Sequence, residues 1–95
     1  DWLTKTGTYT AFAGDKIFAN TTGGAFTITL PASPSIGDEV RFVDLANHFD
    51  TNNLTVGRNS EKIDGATSDL TVATEGAAFA LVYSGSTYGW KLLEK

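Results

Sequence analysis

Apolar and polar residues alternate with a period of two along most of the chain, and no window shows the i, i+3, i+4, i+7 spacing of an amphipathic helix. The pattern predicts strands throughout. Residues 25–30 give the clearest case, with Phe26, Ile28 and Leu30 on one face and Thr27 and Thr29 on the other. Residues 8–13 alternate Tyr9, Ala11 and Ala13 against Thr8, Thr10 and Phe12, and Gly14-Asp15 then turns them into residues 16–20, which reads as a first hairpin. Residues 39–45 are apolar on both faces, Val40 and Phe42 against Val43 and Leu45 with Arg41, the pattern of a strand that is central or covered on both sides. Further strands are expected over 54–59, at Lys62-Ile63, and over 69–73, 77–83 and 88–93. The breaks between them are Asn20-Thr21-Thr22-Gly23-Gly24, the proline-bearing stretch 31–37, and the amide-rich residues 47–53. The predicted fold is all-β: a small antiparallel β-sandwich or β-prism-like subunit of eight or nine short strands.

Two internal echoes point to a repeated unit, although the chain is too short for a solenoid array. Gly14-Asp15-Lys16-Ile17 is matched by Gly37-Asp38-Glu39-Val40, a tight Gly-Asp turn that launches a strand. Asn53-Leu54-Thr55-Val56 is matched by Asp69-Leu70-Thr71-Val72, in each case an Asx residue ahead of Leu-Thr-Val.

Composition agrees: 14 Thr and 10 Gly stand beside only 2 Pro among 95 residues, a mix that favours strands and glycine turns. Length allows one domain, residues 1–95, with 1–7 expected as a linker from an upstream chain. The opening Asp1-Trp2-Leu3-Thr4-Lys5 shows no signal-peptide pattern and the chain has no Met, so it is expected to be a piece of a longer parent. With no Cys there is no disulfide to staple a small core, and association with copies or flanking domains is the remaining route to stability. Residues 77–83 bear on this directly. Ala77, Phe79, Leu81 and Tyr83 make a bulky face, and Ala78, Ala80 and Val82 make a small one that lets another sheet approach; these three are the expected oligomer interface.

Charge removes several function classes. Seven Lys and Arg against eleven Asp and Glu, net −4, leave no basic stripe for nucleic acid, and no apolar run approaches the roughly 20 residues of a membrane span. His48 is the sole histidine and has no neighbouring set of ligands or Ser-acid pair. The Asp and Asn residues around it, Asp44, Asn47, Asp50, Asn52 and Asn53, fit no EF-hand spacing and read as Asx caps rather than a calcium site. No nucleotide fingerprint occurs, and a chain this short has little core to spare for a catalytic cleft, so no enzyme, metal or cofactor is expected. Arg58, in Val56-Gly57-Arg58-Asn59, is expected to pin a structural turn with Asn59 by pairing with Asp64 or Asp69. Trp2, Tyr88 and Trp90 have faces suited to sugar rings, but Trp90 shares parity with Tyr88 and Leu92 and reads as an inward, core residue.

One resemblance spans Tyr9 to Trp90. The blocks Ala25-Phe26-Thr27-Ile28-Thr29-Leu30-Pro31-Ala32-Ser33-Pro34 and Asn52-Asn53-Leu54-Thr55-Val56-Gly57-Arg58-Asn59 carry it, with Gly37-Asp38-Glu39-Val40, Ile63-Asp64-Gly65, Asp69-Leu70-Thr71-Val72 and Gly89-Trp90 in the same order. The chain resembles a C-terminal-type module found in tail-fibre and other virion proteins of tailed phages, especially marine and cyanobacterial ones. The resemblance implies a homotrimer attached to other virion fibre domains, extracellular on the virion, and a role in recognising a host-surface glycan or protein. It implies no chemistry for any residue. Within it, His48, Phe49, Tyr88 and Trp90 are the candidate receptor contacts. A purely structural connector or trimerisation cap, and an accessory carbohydrate-binding module of a depolymerase, are the alternatives.

Overall fold

The computed structural model describes residues 1–93, and among them there is no helix. Nine strands form: β1 (Trp2–Lys5), β2 (Tyr9–Thr10), β3 (Lys16–Ala19), β4 (Phe26–Thr29), β5 (Glu39–Asp44), β6 (Leu54–Gly57), β7 (Leu70–Val72), β8 (Ala78–Tyr83) and β9 (Trp90–Leu92). They make a five-stranded sheet in the order β1-β3-β5-β8-β9 and a four-stranded sheet in the order β2-β4-β6-β7.

Both sheets are mixed, not antiparallel as expected. The first six strands alternate between the sheets, so β1, β3 and β5 run parallel in one and β2, β4 and β6 run parallel in the other. Parallel neighbours need a crossover connection, and here each crossover is a strand of the opposite sheet. The first hairpin expected across Gly14-Asp15 is therefore an arch: β2 and β3 lie in different sheets. After β6 the chain reverses, and β7 pairs antiparallel with β6, β8 with β5, and β9 with β8. Lys62-Ile63 contributes only isolated bridges, Ile63 with Ala66 and with Trp90. The segment expected as a linker supplies β1, which pairs with β3 from Trp2↔Lys16 to Lys5↔Ala19.

The Gly-Asp echo is one turn used twice. Asp15 N–H donates to Phe12 O at 3.0 Å and Asp38 N–H to Ser35 O at 2.9 Å. In each turn the aspartate carboxylate then accepts from the N–H three residues back, Phe12 at 2.9 Å and Ser35 at 2.8 Å. Gly14 and Gly37 hold φ values of 89° and 97°, a region that suits a residue without a Cβ.

Alternation then decides the core. Ile17, Ala19, Val40, Phe42, Leu81 and Trp90 from the five-stranded sheet meet Ile28, Leu54 and Val56 from the other, all fully buried. Phe42 and Phe79, register partners, stack with centroids 5.0 Å apart. Tyr83 and Trp90, also paired, tilt against each other at 5.4 Å. The end of the sandwich bounded by β1 and β2 is closed by Lys5, whose Nζ lies 3.9 Å over the Tyr9 ring, while Tyr9 Oη donates to Asp15 Oδ2 at 2.8 Å. A charged residue pointing inward at an edge blocks further strand pairing there.

Candidate functional site

The outward face of the five-stranded sheet is left largely open by the rest of the described chain, and strand register arranges it in rows. Trp2, Lys16, Arg41 and Ala80 form one row; Thr4, Phe18, Val43 and Ala78 form the next. Glu39, Val82 and Lys91 form a third. Trp2 and Phe18 stack with centroids 4.6 Å apart and planes 15° from parallel, and Lys16 Nζ lies 5.9 Å from the Trp2 ring. Beside this stack a depression of about 180 Å³ is lined by Trp2, Arg41, Phe42, Val43, Ala78 and Phe79. Arg41 and Glu39 pair at 2.6 Å at its border. The face thus combines an aromatic ridge, a shallow floor of small side chains and a rim of both charges.

The expected interface residues all lie on this face, to different depths. Ala78 is exposed, Val82 half-buried and Ala80 fully buried. Val43, expected in a strand central or covered on both sides, is half-buried on it: β5 is central in its sheet, but only its inner face is covered. Phe18 was not among the candidates, since its meeting with Trp2 depends on a parallel register across 14 residues that no local pattern encodes.

The four receptor candidates divide. Phe49 and Trp90 have no exposed surface and belong to the core, so they present nothing to a partner. Trp90 thereby follows its inward parity, whereas Tyr88, expected to share it, is 63% exposed. Tyr88 sits on the turn between β8 and β9 with its ring against Gly65. His48 is half-buried, and its backbone N–H donates to Asp44 Oδ1 at 3.0 Å.

Asp44 organises that whole loop. Its buried carboxylate also accepts from Phe49 N–H and from Gly76 N–H, each at 3.0 Å, and so ties residues 45–53 to the turn before β8. Desolvation by burial pushes the carboxyl upward, but the three backbone donors, aided by His48, outweigh it and hold Asp44 below the usual carboxylate range. In this stretch Asp44 caps backbone donors and Asn52 Nδ2 donates to Thr21 O at 2.8 Å, and among the described residues no group of three His, Cys, Asp or Glu gathers to hold a metal.

Arg58 and Asn59 lie where Glu61 N–H donates back to Arg58 O at 3.1 Å, and their other bonds differ from those expected. Asp69 accepts from the Arg58 backbone N–H at 2.9 Å, while the guanidinium donates to Glu61 O at 3.0 Å. Asn59 Nδ2 donates to Leu30 O at 3.0 Å, fastening the turn to the end of β4. Tyr83 Oη donates to Glu61 Oε1 at 2.7 Å, and that bond, with burial, raises the phenol pKa, so the group is a neutral structural donor.

No protein-family model matches the chain, and no curated protein matches it.

Proposed function

We propose that this chain is a non-enzymatic module of a virion fibre that assembles with its own copies, three to a unit, through the outward face of its five-stranded sheet. One observation carries the assembly reading: Trp2, Phe18, Val43, Ala78 and Val82 leave apolar surface open on one sheet face. Contiguous apolar surface of this kind marks an interaction site, and small residues at β8 allow a second sheet to lie close. The fibre setting and the threefold symmetry come from the resemblance to tailed-phage modules. Within it, the exposed Tyr88 and half-buried His48 remain as candidate contacts to a host-surface glycan or protein, in an extracellular virion.

Incubating the assembled chain with isolated envelopes and purified surface glycans of candidate hosts tests recognition. Saturable binding reduced by Tyr88→Ala supports it. Silence across the natural host's surface favours the second reading, a connector that only holds fibre chains in register.

A further inference from the structure

At the other end of the sandwich a groove of about 260 Å³ runs along β7, lined by Leu70, Val72, Ala77, Phe79 and Leu92 among others, and none of the described residues that line it is charged. β7 is the edge of the four-stranded sheet. Among the described residues, no backbone hydrogen bond beyond its ladder with β6 engages Leu70, Thr71 or Val72. Natural edges are blunted by inward charge, proline or a bulge. The β1 end of the sandwich has its inward Lys5, but β7 has none of these devices.

The partner that fits is written in the register β7 already uses. Leu70-Thr71-Val72 pairs antiparallel with Leu54-Thr55-Val56, Leu against Val at both ends and Thr71 against Thr55 in the middle. The triplet is therefore complementary to itself when reversed. Its bare edge matches the same triplet in another molecule, Leu70 facing Val72, with a twofold axis through Thr71. Such pairing keeps Leu70 and Val72 of both copies on the groove side, because a twofold axis normal to a sheet preserves its faces. An end-to-end arrangement against β1 is disfavoured, since it would bring the Lys5 ammonium to a groove whose described lining is uncharged.

We infer that two copies of this chain pair across β7 through a twofold axis at Thr71, making one continuous eight-stranded sheet and closing the two grooves against each other. The inference does not rest on the fibre reading, which concerns the opposite sheet. The test uses sedimentation equilibrium of the full chain and of Thr71→Lys, an exposed position where the twofold would set two ammonium groups face to face. A parallel test uses Thr71→Cys in this cysteine-free chain, with Thr10→Cys on the opposite edge of the same sheet as control. The expected result is a twofold fall in mass for Thr71→Lys and a disulfide-linked pair for Thr71→Cys alone, since opposed strand residues fall within disulfide reach. A mass unchanged by Thr71→Lys, with no more cross-linking at Thr71 than at Thr10, overturns it.

Discussion

Trp2 stacks on Phe18 across the β1–β3 pair, with 4.6 Å between ring centroids. Two strands that begin 14 residues apart thus share an aromatic ridge on the uncovered face of the five-stranded sheet. Removing one ring by Phe18→Ala is expected to cost about 1 kcal/mol beyond the lost burial, read from urea unfolding. Phe18→Leu keeps most of the burial and should recover most of the stability, though not the stacking contribution.

The two tryptophans report on different surfaces. Trp90 is fully buried and Trp2 is 42% exposed in the single chain. Acrylamide quenching is expected to find two populations in dilute protein, one protected and one accessible. The accessible population should become protected as concentration rises, because assembly covers the ridge. An accessible fraction independent of concentration would place Trp2 outside any interface.

Asp44 is expected to be the most sensitive carboxylate. Asp44→Ala leaves three backbone donors without their acceptor, one of them buried, so a loss of about 3 kcal/mol is expected in thermal or urea unfolding. Asp44→Asn keeps one acceptor oxygen and should lose less. The pH dependence follows from the lowered pKa of the folded state. The unfolded chain binds the proton more tightly, so the contribution of Asp44 is complete above the ordinary aspartate pKa and is lost as pH falls toward the folded value. Wild-type stability should decline on that acidic limb, and Asp44→Asn should flatten it.

Gly89 joins β9 to the strand-like segment at Lys62. Trp90 N–H donates to Lys62 O at 2.8 Å, and a Cβ at Gly89 would lie 1.9 Å from that same oxygen. With φ at 73° the backbone also resists a side chain. Gly89→Ala is therefore expected to cost about 3 kcal/mol or more and to expose Trp90, seen as a red shift of its emission. Gly23→Ala, where no atom lies within 4 Å of the added carbon, is the control and should change little.

The strands were legible in the sequence because alternation at a half-buried surface dictates which residues face inward. Phe26, Ile28 and Leu30 kept that order, as did Phe79, Leu81 and Tyr83. Turn chemistry was legible too: the two Gly-Asp turns share their hydrogen bonds as well as their residues. Strand partners were not. A short glycine turn serves an arch between sheets as well as a hairpin within one, and only the whole set of pairings separates them. The repeated Leu-Thr-Val proved to be two neighbouring strands in opposite directions, a relation that similarity alone does not orient. For the candidate site, Ala78 and Val82 could be placed on one face from their parity. The Trp2 ridge depends on β1, in a segment whose reading as a linker hid its pairing, and the burial of Phe49 depends on Asp44 folding the loop inward.

Assembly through the outward face is tested by comparing the mass of the Thr71→Lys chain, free of pairing at β7, with that of Thr71→Lys combined with Ala78→Arg. Sedimentation equilibrium at micromolar concentration is predicted to give three chains for the first and one for the second, with unchanged circular dichroism. A folded single chain in both samples would contradict assembly through the outward face of the five-stranded sheet.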